Sequence, residues 1–160
     1  GPQLRFKLIN EPGARKLNFN LQARAVYSTD FSSIDHRGYV FNPKLNYIRE
    51  HVTGLDLKVF TSMGPIFATE KLMDYFYQVD PEFVTSTRPA YDADAGYLGS
   101  NMTLGVSKRF NSRFRLMLGT RLGIHSGATN DDSPLFKDEL NVSVFSAFIW
   151  SFYQSEELAR

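Results

Sequence analysis

The sequence predicts an all-β protein, an antiparallel up-and-down transmembrane β-barrel of the outer-membrane type. Three observations predict it. Seven stretches alternate apolar and polar residues with a period of two, the spacing of side chains on a strand. The longer ones, such as 16–28 and 114–126, exceed the roughly 5–6 residues of globular strands and reach the roughly 9–11 that cross a tilted bilayer. The connections alternate short and long, as periplasmic turns and extracellular loops do.

Taken in order, the first strand lies near 3–10 (QLRFKLIN), with Leu4, Phe6 and Leu8 against Arg5 and Lys7. The second, 16–28, has Leu17, Phe19, Leu21, Ala23, Ala25 and Tyr27 on one face and Asn18, Asn20, Gln22 and Arg24 on the other. The third, 39–48, sets Phe41, Leu45 and Tyr47 against Asn42, Lys44 and Asn46. Pro43 inside it lacks a ladder donor and reads as a local bulge. The fourth, 55–65, sets Leu55, Leu57 and Val59 against Asp56 and Lys58. The fifth, 96–110, sets Leu98, Met102, Leu104 and Val106 against Gly99, Asn101, Thr103, Gly105 and Ser107. The sixth, 114–126, contains RLMLGTRLGI, where Leu116, Leu118, Leu122 and Ile124 oppose Arg115, Gly119, Arg121 and Gly123. The seventh, 140–153, carries Val142, Val144, Phe148, Trp150 and Phe152 on its apolar face.

Between them run EPGAR (short), TDFSSIDHRG (long), HVTG (short), 66–95 (very long), NSR (short) and GATNDDSPLFKDE (long). An eighth strand in LMDYFYQV (72–79) would break this alternation, which counts against it. The last strand follows a long loop, so it runs inward and leaves the C-terminus in the periplasm. An even strand total then requires an odd number of earlier strands, so the chain reads as the C-terminal portion of a barrel, 1–160 forming one partial domain. Backbone groups in lipid must all be paired within the wall, so such a sheet has to close.

Composition bounds the rest. The chain has 160 residues, a net charge of +1 and no cysteine, which excludes disulfides and thiolate metal sites. Its 18 Lys and Arg are dispersed, without the clustered basic face that nucleic acid demands. Mean hydropathy is -0.28, and no apolar run approaches the roughly 18 residues of a membrane helix. Alternating strands average to such a mild value, so this does not exclude a membrane barrel.

Four segments and their order carry a family resemblance. DHRGYVFNPKLNY (35–47), EKLMDYFYQVDPEF (70–83), RPAYDADAGYLGSNMTLGVSKRF (88–110) and NDDSPLF (130–136), followed by an aromatic last strand, resemble the MipA/OmpV outer-membrane proteins, the MltA-interacting protein family. The family's signal peptide and first strands have no counterpart here, and the tail QSEELAR departs from a barrel that stops at a terminal aromatic. The resemblance implies a Gram-negative outer-membrane barrel. It also implies a scaffold role, because the founding member joins a lytic murein transglycosylase to a bifunctional murein synthase. The family has no agreed catalytic residues, and none are carried over.

No cofactor, catalytic or metal site is expected from the residues. His125 and Ser126 are adjacent on a strand and so point to opposite faces, which does not make a nucleophile and base. Asp131, Asp132, Asp138 and Glu139 match no calcium-loop spacing and read as solvated loop acids. The aromatics of DYFYQV (74–79) read as an interfacial belt or loop packing. Asn101-Met102-Thr103 is a sequon in form, but it falls mid-strand. The polar candidates for the barrel interior are Arg24, Lys58, Asn101, Lys108, Arg115 and Arg121, with Asn20 and Thr103. Gly119 and Gly123 would leave room for the arginines. Three readings compete with the non-enzymatic scaffold: an anion-favouring solute channel, a soluble lipocalin-like carrier, and a lipid hydrolase.

Overall fold

Alternation along the chain produces seven consecutive strands, each hydrogen-bonded to the next. In the computed structural model, which describes residues 1–52 and 56–152, they are β1 (Gln3–Glu11), β2 (Arg15–Thr29), β3 (Ile34–Arg49), β4 (Leu57–Ala68), β5 (Gly96–Arg109), β6 (Phe114–Ile124) and β7 (Leu140–Trp150). All pairs are antiparallel, in the order β1-β2-β3-β4-β5-β6-β7. Among the described residues β1 and β7 each pair with one neighbour, so the sheet is open at those two edges. Leu55, Tyr153 and the tail 154–160 lie outside the described residues.

The two faces are inverted relative to a water-soluble sheet. On one, Leu4, Phe6, Phe41, Leu45, Met63, Leu104, Leu118, Val142, Val144 and Phe148 stand exposed, Val144 by 81%. On the other, Asn20, Asn42 and Ser107 are buried. Residues from β2 through β6 line a single pocket on this polar face, so the sheet bends around it. The polar face is concave and the apolar face convex.

Two connections depart from the expected pattern. The stretch read as the long loop TDFSSIDHRG is mostly strand. β2 and β3 pair as far as Thr29 opposite Ile34, leaving the turn 30–33. Asp30 closes that turn by accepting hydrogen bonds from the Ser32 and Ser33 amides at 2.9 and 2.7 Å, an Asx-type turn. Short and long connections therefore do not alternate strictly. Within the very long connection, LMDYFYQV forms no strand, as expected, and the departure is a helix. Residues Glu70–Tyr77 form the helix α1, followed by a single 3-10 turn at Pro81–Phe83. Leu72 and Met73 lie on one side of α1 and are fully buried.

Pro43 is not a bulge. It pairs in register with Leu21 on β2. On the β4 side, Phe41 pairs with Phe67 and Leu45 with Met63 in the same register, with no pairs between. The ladder is interrupted and then resumes unshifted. The reason is that this register sets Pro43 opposite Pro65, and neither has an N–H to donate.

Candidate functional site

The concave face carries three layers, and each follows from residue type along the strands. At the end that bears the long connections, Val26, Val40, Ile66, Ala68 and Leu98 make the face apolar, and Leu72, Met73 and Ala93 pack onto it. Leu98 was expected beside Met102. A register shift, with Ile66 opposite Gly99 and Phe67 opposite Tyr97, leaves it unpaired and packed against this cluster instead. The helix can approach because residue 38 is glycine. A Cβ there would collide with Thr69 and Leu72, and its φ of +132° suits few other residues.

The family-like segments meet in this cap. The Arg37 guanidinium sits 4.5 Å over the Tyr75 ring, a cation–π contact. Val79 and Tyr91 exchange backbone hydrogen bonds at 2.9 and 3.1 Å. The Ser133 hydroxyl donates to the Tyr77 carbonyl at 2.8 Å. Asn130, 1% exposed, ties the two long connections together. Its Oδ1 accepts from the Asp94 amide at 3.0 Å and from the Tyr91 hydroxyl at 3.2 Å, and its Nδ2 donates to the Asp94 carbonyl at 2.8 Å. Burial pushes the Tyr91 phenol up, with Asp132, Asp94 and Asp131 adding to it. Burial likewise raises the Asp74 carboxyl, and the nearby Asp92 and Asp80 reinforce the shift. Sequence reading did not single out Asn130, because its partners lie more than thirty residues away.

The middle layer is a polar belt. Gln22, Arg24, Asn42, Lys44, Ser62, Asn101, Thr103 and Arg121 line one pocket of about 180 Å³. Cross-strand register explains the grouping, since Ser62 faces Thr103 and Thr103 faces Arg121, while Asn20 faces Lys44. Four of the expected interior residues, Arg24, Asn101, Thr103 and Arg121, thus come together, and Lys44 joins them. No carboxylate lines this pocket. Among the described residues no ion pair involves its cations. The Asn20 Oδ1 is buried without a hydrogen-bond partner.

The third layer is aromatic. A Cβ on Gly105 would strike the Phe60 ring, and one on Gly119 the Phe145 ring. Gly119 therefore makes room for Phe145 rather than for an arginine. The Phe60 and Phe145 rings lie over these glycines, between the polar belt and the end bearing the short turns. Beyond them Lys58 and Arg115 line a separate pocket with Glu50, His51, Asp56 and Arg109, where Lys58 Nζ lies 3.4 Å from Glu50. Lys108 is not on this face. It stands opposite Leu57 and Leu116, with the parity of Leu104 and Val106, on the convex side. Its ammonium lies 5.3 Å over the Phe110 ring.

The remaining candidates do not assemble. His125 Nδ1 is 2.8 Å from the Leu98 carbonyl, while Ser126 faces solvent. Asp131, Asp132, Asp138 and Glu139 are exposed, and among the described residues no three acidic or histidine side chains gather closely enough to hold a metal. Tyr75 and Phe76 are half-exposed on α1, their rings 5.2 Å apart.

No curated protein and no solved structure matches the chain. A family model described as MltA-interacting protein MipA matches residues 1–152. The match spans the capped and belted sheet whole, including every segment that carried the resemblance, so the chain belongs to the family of the MltA-interacting protein MipA.

Proposed function

We propose that the chain is part of a plugged, non-enzymatic outer-membrane β-barrel that serves as a scaffold, holding a murein transglycosylase, and with it a murein synthase, at the envelope. The observation that carries the membrane reading is the exposed apolar side chain on the convex face of strand after strand. In water such a surface is costly, since soluble monomers rarely expose large contiguous apolar patches. Against lipid acyl chains it is the required surface. A soluble lipocalin-like carrier would need the reverse, with its apolar face concave. Phe110, Phe114 and Trp150, in successive ring contact at 5.6 and 6.1 Å, suit an interfacial belt at the short-turn end. That end, with the C-terminus of β7, is the periplasmic one in this reading.

The scaffold part rests on the family, which is associated with the Gram-negative outer membrane and whose description names MltA as its interacting partner. Fractionation tests the first part: recovery in the aqueous phase without detergent excludes it. Pull-down from envelope extracts tests the second. Recovery of a murein transglycosylase supports the scaffold, and its consistent absence refutes it.

An anion-favouring channel is the second reading, favoured by the acid-free belt around Arg24, Lys44 and Arg121. The cap over one end opposes it, because side chains fill the interior of small barrels. Planar-bilayer conductance with anion preference would establish the channel.

A further inference from the structure

The strands are almost free of carboxylates. β2, β4, β5, β6 and β7 contain no Asp or Glu. β1 and β3 carry Glu11 and Asp35, and these pair with Arg15 and Arg37. Glu50 and Asp56 lie at the short-turn end, beside Lys58 and His51. The concave face nevertheless carries Arg24, Lys44 and Arg121, with Arg5 and Lys7 opposite Asn20 and Asn18 at its β1 edge.

Three of these cations converge. Arg24, Lys44 and Arg121 reach the belt pocket of about 180 Å³ from β2, β3 and β6. Arg24 and Arg121 are each near enough to Lys44 to repel its charge. Among the described residues these three side chains have neither ion pair nor hydrogen bond. The Ser62 and Thr103 hydroxyls and the Asn101 amide line the same pocket and are also uncommitted, whereas Asn42 is spent on the Pro65 carbonyl at 2.7 Å. Crowded charges of one sign repel, and the donors around them have nothing to bond. One bound anion answers both.

We propose that the belt pocket binds a small tetrahedral oxyanion, phosphate. Arg24, Lys44 and Arg121 give it charge-assisted hydrogen bonds, and Ser62, Asn101 and Thr103 give neutral ones. The donors converge from β2 through β6, so they surround a centre. That suits a tetrahedral set of oxygens better than a planar carboxylate, which a single arginine fork satisfies. A dianion also offsets more of the cationic charge than a monoanion does. The volume lies below the roughly 300–1,000 Å³ of organic-ligand sites, which favours the free ion over a phosphate ester. Close backbone contact between β3 and β4 at Gly64 and Lys44 separates the pocket from the convex face, so lipid headgroups do not supply the ligand. The site needs neither the membrane nor the scaffold reading, and it holds an anion where a channel would pass one.

The test is calorimetric titration of the full chain, folded in zwitterionic detergent at pH 8, with sodium phosphate. Sodium acetate and sodium chloride at equal ionic strength are the comparisons. Phosphate binds saturably, and acetate and chloride bind at least tenfold more weakly. Lys44→Met and Arg121→Met each weaken phosphate by roughly tenfold or more, the scale of a lost charged hydrogen bond. Lys108→Met, on the convex face, leaves it unchanged. Unaltered circular dichroism shows that the variants still fold, and Arg121 is exposed, so its replacement disturbs no packing. Equal binding of acetate or chloride, phosphate affinity unaffected by Lys44→Met and Arg121→Met, an equal loss in Lys108→Met, or equal competition by micellar phosphatidylglycerol would each overturn the site. None of these outcomes depends on where the protein fractionates or on what it recovers from envelope extracts.

Discussion

Asn130→Ala should open the cap while leaving the sheet intact. The side chain makes three hydrogen bonds, two accepted by Oδ1 and one donated by Nδ2, and it is 1% exposed. A buried hydrogen bond contributes about 0.5–1.5 kcal/mol net, so three give about 3 kcal/mol. Water can enter to satisfy Tyr91 and Asp94 once the amide is gone, which keeps the loss from growing further. At about 1.4 kcal/mol per factor of ten, the open population of the cap should rise roughly 100-fold. Hydrogen exchange measures this directly, with faster exchange expected across 78–95 and 128–136 and unchanged exchange in β2 and β5. Asn130→Asp, which keeps an acceptor for the Asp94 amide but loses the donor, should fall between. Unchanged exchange around Asp94 would refute the role given to Asn130. Equal loss in β2 and β5 would refute the independence of cap and sheet.

Three further outcomes follow from the same geometry. Gly38→Val places a branched side chain at a φ of +132° against Thr69 and Leu72, and should make α1 sensitive to protease in otherwise folded protein; resistance equal to the parent would contradict the close approach. Leu104→Arg puts a charge on the convex face and should cost about 2–4 kcal/mol if that position lies near the bilayer midplane, read as refolding yield into vesicles, whereas no cost would place the face in water. The Asp30 carboxyl, held below its ordinary range by hydrogen bonds from Ser33 and Ser32, stabilises the 30–33 turn above about pH 4, the ordinary aspartate value. That contribution fades only as pH falls through the lower, folded-state value. An ordinary midpoint for Asp30 in an NMR titration would count against the bonded turn.

Period-two alternation is a local property, and so the strands were legible. β1, β2, β5 and β6 lie within a residue or two of the expected boundaries. The same parity places Lys108 with Leu104 and Val106, although its charge suggested the interior. What was not legible depends on residues distant in sequence. The chain from 30 to 38 holds turn-forming Ser, Asp and Gly, and reads as a loop until β2 is alongside to pair with it. Pro43 alone suggested a bulge, whereas Pro65 opposite it makes an interruption. α1 shows its burial pattern once Val40 and Ile66 are present to receive Leu72 and Met73. The segments behind the family resemblance looked like separate signatures, yet Arg37, Tyr75, Val79, Tyr91 and Ser133 build one cap.

The amino-acid sequence by itself determined the all-β class, the antiparallel meander and, away from register shifts such as the one at Leu98, which side chains share a face, because each depends on neighbours two positions apart. Tertiary structure decided which face is concave, which cations meet, what plugs the concave face and where the ladder is interrupted. Those depend on the register between strands and on contacts between connections up to 56 residues apart in the chain, which no local pattern encodes.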